Sequence, residues 1–106
     1  MGFFDFFRGA NINEGIQEYK STTDAVLLDV RSVDEYKSGH IPGSINVPLV
    51  NISYAKDKIA NIETPLFVYC TAGVRSKQAV AQLESMGYLN VKDIGGISSY
   101  SGSLER

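Results

Sequence analysis

Short apolar runs alternate with amphipathic stretches over most of the chain. The apolar runs are rich in aliphatic residues, which is typical of buried strands, and they cover residues 25–30, 44–47, 66–69 and 91–94. The stretches between them hold turn residues or a helical spacing of apolar positions. Because strands that alternate with helices form parallel β-α units, the pattern predicts an α/β fold with a mostly parallel central sheet flanked by helices.

Local signals predict three helices between these strands. Ser32 and Glu35 match a capping box, in which the hydroxyl and the carboxylate each bind a backbone N–H group, so a short helix is expected after Ser32. The spacing of apolar residues predicts a second helix over residues 51–62. A third helix is expected over residues 76–86, with Gly87 at the C′ position where glycine is favoured.

Length and composition limit the chain to one domain with one core. It has 106 residues, of which 43% are hydrophobic and 21% are charged, as in ordinary globular proteins. We expect this domain over residues 11–106, after an apolar tail over residues 1–10 that packs against the domain or a second copy. A weak interfacial membrane contact is the alternative for the tail. Its apolar run is short and interrupted by Asp5, unlike a signal peptide, so we expect no integral membrane segment and a cytoplasmic location.

The charged and metal-binding residue types exclude further classes of function. Ten Lys and Arg are scattered among twelve Asp and Glu, for a net charge of -2, and this leaves no basic surface that would indicate nucleic-acid binding. One Cys and one His fall short of the three or four ligands that a zinc site needs, so no metal is expected. A single Cys also excludes an internal disulfide.

The single cysteine stands where ligands bind in open α/β sheets. Cys70 directly follows a predicted strand and precedes a predicted helix, at the carboxyl end of the sheet. The loop over residues 70–75 is short, and its backbone amides together with the helix dipole favour a thiolate. Arg75 adds a fork of donors. We therefore expect the pKa of Cys70 to lie below that of a free thiol, with a buried structural cysteine as the alternative.

Three segments of the sequence resemble the rhodanese family of sulfurtransferases. They cover residues 27–48, residues 70–76 and residues 93–100, and the resemblance as a whole spans roughly residues 11 to 105. It implies a three-layer α/β sandwich that works without a cofactor. Tyr100 stands where the family usually has Trp, and it is expected to fill much of the same apolar site.

The resemblance implies sulfur transfer through a persulfide on Cys70. The persulfide would be cradled by the backbone amides of Thr71, Ala72, Gly73, Val74 and Arg75. A small anionic sulfur donor such as thiosulfate would load the cysteine, and a thiol or a protein acceptor would remove the sulfur in a second half-reaction.

Two other functions on related folds remain alternatives. The first is a non-catalytic binding or sulfur-carrier module. The second is a phosphatase or an arsenate reductase, but these carry Cys-x5-Arg, whereas four residues separate Cys70 from Arg75 here. The narrower loop favours a terminal sulfur over a phosphoryl group.

Other polar residues near these motifs are expected to support the structure. Asp29 and Arg31 are predicted to form an ion pair at a strand end, in preference to direct catalysis. Glu35 is expected to act as a helix cap, and His40 to make a hydrogen bond that fixes the neighbouring Pro-Gly turn. The two glycines at 95–96 follow the last predicted strand and predict a tight turn under the last helix.

Overall fold

A computed structural model of the protein describes residues 10–106. The expectation for the apolar tail falls on residues 1–9, which lie outside the described residues. The helices are α1 (Ile12–Lys20), α2 (Val33–Ser38), α3 (Ala55–Lys58) and α4 (Val74–Ser85). The strands are β1 (Val26–Asp29), β2 (Ser44–Asn46), β3 (Leu66–Cys70) and β4 (Val91–Gly96). Two 3₁₀ helices cover Leu49–Tyr54 and Ile97–Ser99.

The four strands form one sheet in the order β2-β1-β3-β4, and every pairing is parallel. Neighbouring residues of each strand point to opposite faces, where two buried clusters lie. Leu28 and Val68 pack with Leu83 of α4 on one face, whereas Leu27 and Phe67 pack with two isoleucines of α1 on the other. The predicted α/β fold, with a parallel sheet between two helical layers, is confirmed.

The helix α1 was not predicted from the sequence. Its N-cap is Asn11, whose side-chain oxygen accepts hydrogen bonds from the amides of Asn13 and Glu14. Gly15 weakens the helical pattern, but it is needed because a Cβ there would lie 2.4 Å from the Cβ of Ile94. The glycine therefore allows α1 to approach β4 closely, at the expense of helix propensity.

The helix predicted over residues 51–62 is wrong in kind and in length. A 3₁₀ helix, Leu49–Tyr54, runs into the single turn of α3, and Ile59 already has a non-helical backbone. Ile52 and Ala55 are buried against the sheet, and their spacing of three residues suits the 3₁₀ period. The apolar pattern was therefore real, but it did not require a continuous α-helix.

The predicted turn at residues 95–96 is also wrong, because both glycines belong to β4. Gly95 pairs with Tyr69 and Gly96 pairs with Cys70, after a shift in register between Val68 and Tyr69. Gly95 has a φ of 97°, which explains why a glycine is needed at this irregularity.

The predicted helix ends are confirmed where capping residues specified them. Ser32 and Glu35 form the capping box of α2, which ends at Gly39. Gly87, just after α4, has the positive φ expected of a C′ glycine. Within residues 10–106, no helix has the length and apolar character needed to cross a membrane.

Candidate active site

Cys70 is the last residue of β3, at the carboxyl end of the sheet, and it is 1% exposed. β3 lies between β1 and β4, so the cysteine is in the middle of the sheet. α4 begins at Val74, earlier than predicted, and its N-cap is Gly73 with a φ of 92°. This left-handed conformation lets the chain pass from strand to helix within the short loop 71–73. Arg75 therefore lies in the first turn of the helix.

Backbone and hydroxyl groups surround the Cys70 sulfur. The amide of Gly73 donates to Sγ at 3.0 Å, the amide of Ser76 donates at 3.3 Å, and the Ser76 hydroxyl oxygen lies 3.5 Å away. Burial raises the pKa of the Cys70 thiol, but hydrogen bonds from the Ser76 hydroxyl and from nearby backbone amides outweigh it and lower the pKa. The site therefore favours the nucleophilic thiolate.

The structure places the residues of the predicted cradle in different roles. The amides of Gly73 and Ala72 both act on the Cys70 sulfur. The Val74 side chain is exposed at the start of α4. Thr71 and Arg75 direct their side chains toward Glu35 of α2. The role of these five residues in holding a substrate stays a prediction.

Ser76 was not predicted as a site residue, although it is fully buried beside Cys70. It follows the predicted loop directly and lies in the first turn of α4. The first amides of a helix have no partner within the helix, so they are available to a neighbouring anion. Since Ser76 directly follows Arg75 at the start of the predicted helix, the sequence could have indicated that its amide also faces the Cys70 sulfur.

Three side chains join the two ends of the cysteine loop to α2, and we call Glu35, Thr71 and Arg75 the Glu35 clamp. Arg75 Nη1 donates to Glu35 Oε1 at 2.6 Å, and Nη2 donates to Oε2 at 2.9 Å and to Thr71 Oγ1 at 3.0 Å. The Thr71 hydroxyl donates to Glu35 Oε2 at 3.0 Å. The Arg75 guanidinium holds the pKa of Glu35 well below its usual range, and the carboxylate raises the pKa of Arg75.

Glu35 thus does more than the capping role expected of it. Its Oε1 also accepts a hydrogen bond from the backbone N–H of Ser32, which completes the capping box. The fork of donors that Arg75 supplies is directed at Glu35 and Thr71.

The end of β4 and the 3₁₀ helix that follows it hold the cysteine loop from its other side. The amide of Ser98 donates to the carbonyl oxygen of Thr71 at 3.1 Å. A Cβ on Gly96 would lie 2.2 Å from that same oxygen, so only glycine permits this approach. Thr71 is therefore fixed through its backbone by Ser98 of the 3₁₀ helix after β4, and through its side chain by α2.

Buried and stacked groups support the same edge of the sheet. The predicted ion pair is present, with Arg31 Nη2 at 2.7 Å from Asp29 Oδ2, and the same nitrogen donates to the carbonyl of Gly39 at 2.7 Å. His40 Nδ1 lies 2.9 Å from the carbonyl oxygen of Tyr36, and the two rings stack. Asp29 and Arg31 thus form the ion pair expected from the sequence, whereas the His40 ring bonds to α2 and not to the Pro-Gly turn.

A groove of about 840 Å³ lies beside the loop. Gly73 lines it and also donates to the Cys70 sulfur. Polar side chains from three elements line the rest, among them Asn11, Asn13, Lys77 and Asp93. The groove therefore offers space for a molecule next to the loop.

The family model of the rhodanese-like domain matches residues 12–103. The chain belongs to this family. Its rhodanese-like domain is 38% identical over 74 residues to the thiosulfate sulfurtransferase PspE of Escherichia coli, covering 66% of this chain and 68% of PspE. It is 33% identical over 91 residues to the adenylyltransferase and sulfurtransferase uba4 of Ogataea parapolymorpha, covering 85% of this chain but 23% of that protein.

A solved rhodanese with anions from E. coli has the same fold. It superposes with a TM-score of 0.72 at 30% identity and covers 77% of this chain and 98% of that one. The rhodanese-like fold expected from the sequence is therefore confirmed. Because the chain spans about a quarter of the length of uba4, the activity of that whole protein does not transfer to it directly.

Proposed function

We propose that the domain is a sulfurtransferase that moves a sulfane sulfur from thiosulfate or a persulfide donor to a thiophilic acceptor through a persulfide on Cys70. The observation that carries the proposal is the set of groups around Cys70 Sγ: the amides of Gly73 and Ser76 donate to it, and the Ser76 hydroxyl lies within hydrogen-bond distance. These donors stabilise a thiolate in a site that is otherwise buried. The names of the relatives support the same chemistry.

In the proposed first half-reaction, the Cys70 thiolate attacks the outer sulfur of the donor. The donor's S–S bond breaks, its electron pair leaves on sulfite or on a thiolate, and a new S–S bond forms at Cys70. The backbone amides of residues 71–75 would then hold the terminal sulfur. A second thiolate or a protein acceptor attacks that sulfur and restores Cys70.

A sulfur-carrier role is the second candidate. The sequence contains one Cys, so this chain supplies no second thiol that could take the sulfur from Cys70. The sulfur must then leave to another molecule, as it would from a carrier. The proposal also includes a cytoplasmic location, where cellular reductants keep a lone thiol reduced.

Sulfur loading followed by mass spectrometry tests the proposed function. Thiosulfate should add one sulfur to the wild-type protein, cyanide should remove it, and Cys70→Ser should not be loaded. Steady-state turnover of thiosulfate with cyanide should show the parallel lines of ping-pong kinetics. Turnover would favour the enzyme, whereas loading with slow turnover would favour the carrier. A wild-type protein that stays unmodified with both thiosulfate and persulfide donors would overturn the assignment.

A further inference from the structure

The charge of Arg75 is already neutralised before any donor arrives. Both oxygens of Glu35 accept from its guanidinium, at 2.6 and 2.9 Å, in a bidentate ion pair. The two side chains are each 36% exposed, so the ion pair is in contact with solvent. Arg75 also keeps its hydrogen bond to Thr71 of the loop. Arg75, in the first turn of α4 beside the cysteine loop, therefore presents little net charge to an incoming anion.

Among the described residues, Arg31 and Lys77 do not replace it. Arg31 is paired with the buried Asp29, which leaves no net charge there. Lys77 lines the neighbouring groove, but Asp93 lines the same groove. Counted over these described side chains, the site carries a net negative charge when Cys70 is a thiolate, and a dianionic donor meets more repulsion than a monoanionic one.

We propose that Glu35 is a specificity-determining residue that, through Arg75, makes the site prefer sulfane donors with at most one negative charge over dianionic thiosulfate. This inference rests on the proposed function. It assigns Glu35 a positioning role, since its carboxylate acts through Arg75. Persulfides of small thiols or of protein cysteines belong to the preferred class.

A matched pair of donors isolates the charge. Methanethiosulfonate and thiosulfate both offer a terminal sulfur on a sulfonyl sulfur, but the first carries one negative charge and the second carries two. In both reactions the Cys70 thiolate takes the terminal sulfur and the S–S bond breaks. Methanesulfinate leaves from the first donor and sulfite from the second, so charge and atoms balance without an oxidant.

Glu35→Gln removes the charge and keeps the geometry, because Gln at this helix position also completes a capping box. We expect kcat/KM for thiosulfate to rise on the order of fivefold, and kcat/KM for methanethiosulfonate to rise by clearly less. Salt should speed the thiosulfate reaction of the wild-type protein, which is repulsive, and should have little effect on that of Glu35→Gln, whose site is close to neutral.

Two further variants keep the test decisive. Arg75→Gln should lower kcat/KM for thiosulfate more than kcat/KM for methanethiosulfonate, because the Glu35 charge is then no longer neutralised. Combining it with Glu35→Gln should return the ratio of the two kcat/KM values toward that of the wild-type protein. Glu18→Gln is the control, because Glu18 pairs with Lys92 at the opposite end of β4, and it should leave both donors unchanged.

The results separate this inference from the proposed function. If Glu35→Gln changes kcat/KM for both donors by the same factor and leaves the salt dependence of the thiosulfate reaction as it was, Glu35 only supports the structure and the inference is wrong. If neither donor loads the wild-type protein, the proposed function fails, and the inference fails with it.

Discussion

Two opposing influences act on the sulfur atom of Cys70. Burial disfavours its charge, whereas Ser76 supplies both an amide and a hydroxyl, and Gly73 supplies a second amide. The net effect lowers the pKa, which confirms the direction predicted from the strand-to-helix position. Hydrogen bonds to a charged group are about twice as strong as those between neutral groups, and this explains why few donors outweigh burial.

The Ser76 hydroxyl can be tested by Ser76→Ala. Without it the thiolate loses one donor, so the pKa of Cys70 should rise and the midpoint of the alkylation rate against pH should move to higher pH. Sulfur loading at pH 7 should fall on the order of tenfold. Ser85→Ala, on the same helix but bonded to the Ala81 carbonyl, is the control. An unchanged alkylation profile in Ser76→Ala would show that the amides alone set the pKa.

The sequence located the candidate nucleophile but not all of the groups around it. Cys70 and its loop follow from local order along the chain, because strand, loop and helix are consecutive. The bonds between Arg75 and Glu35 join residues 40 positions apart, and they arise only when α2 and α4 meet at one edge of the sheet. No local pattern contains that information.

At the scale of elements, capping chemistry predicted structure more reliably than apolar spacing. Ser32, Glu35 and Gly87 gave the correct limits because each satisfies backbone groups at a helix end. Apolar spacing failed over residues 51–62, where a 3₁₀ helix buries Ile52, the single turn of α3 buries Ala55, and Ile62 is exposed. It also missed α1, where close packing on β4 requires Gly15 in the helix interior.

Gly96→Ala tests whether β4 positions the cysteine loop. The new Cβ would lie 2.2 Å from the Thr71 carbonyl oxygen and 2.7 Å from its carbon, so the backbone must move. We expect the free energy of unfolding to fall by about 1–3 kcal/mol. Sulfur loading of the folded protein should fall more than about tenfold, because displacing Thr71 disturbs both the cradle and the Glu35 clamp.

Gly87→Ala is the matched control for this prediction. Gly87 also has a positive φ, of 105°, but its nearest neighbour would be Ile62 Cγ2 at 4.0 Å, away from the loop. It should destabilise the fold by about 1–2 kcal/mol through backbone strain alone and leave sulfur loading unchanged. If Gly96→Ala behaved in the same way, contact between β4 and the loop would have no role in activity.

For the molecule as a whole, the order of the strands explains where the site lies. From β1 the chain adds β2 on one side of it, and then β3 and β4 on the other side. The direction in which strands are added therefore reverses between β1 and β3, although all four strands are parallel. Ligands of open α/β sheets bind at such a point, outside the carboxyl ends of the strands. The sequence predicted the fold class but could not predict this order, since strand pairing depends on contacts between distant segments.

The buried ion pair between Asp29 and Arg31 joins the end of β1 to the residues that follow it, and Arg31 also bonds to the carbonyl of Gly39. Arg31→Met would leave Asp29, which is 0% exposed, as a charge without its ion-pair partner, and should lower the free energy of unfolding in urea by about 3–5 kcal/mol. Replacing both residues, as Asp29→Leu with Arg31→Met, should recover part of that loss because no unpaired charge remains.

The exposed ion pair between Lys92 and Glu18 provides the comparison, since Lys92→Met should cost less than about 1 kcal/mol. The contrast depends on burial, because water screens the exposed pair but not the pair beneath the active-site edge. If Arg31→Met cost no more than Lys92→Met, the hydrogen bond from Arg31 to the Gly39 carbonyl and the Asp29 contact would not stabilise the switch point. The Cys70 loop and α2 would then be held together by the Glu35 clamp and β4 alone.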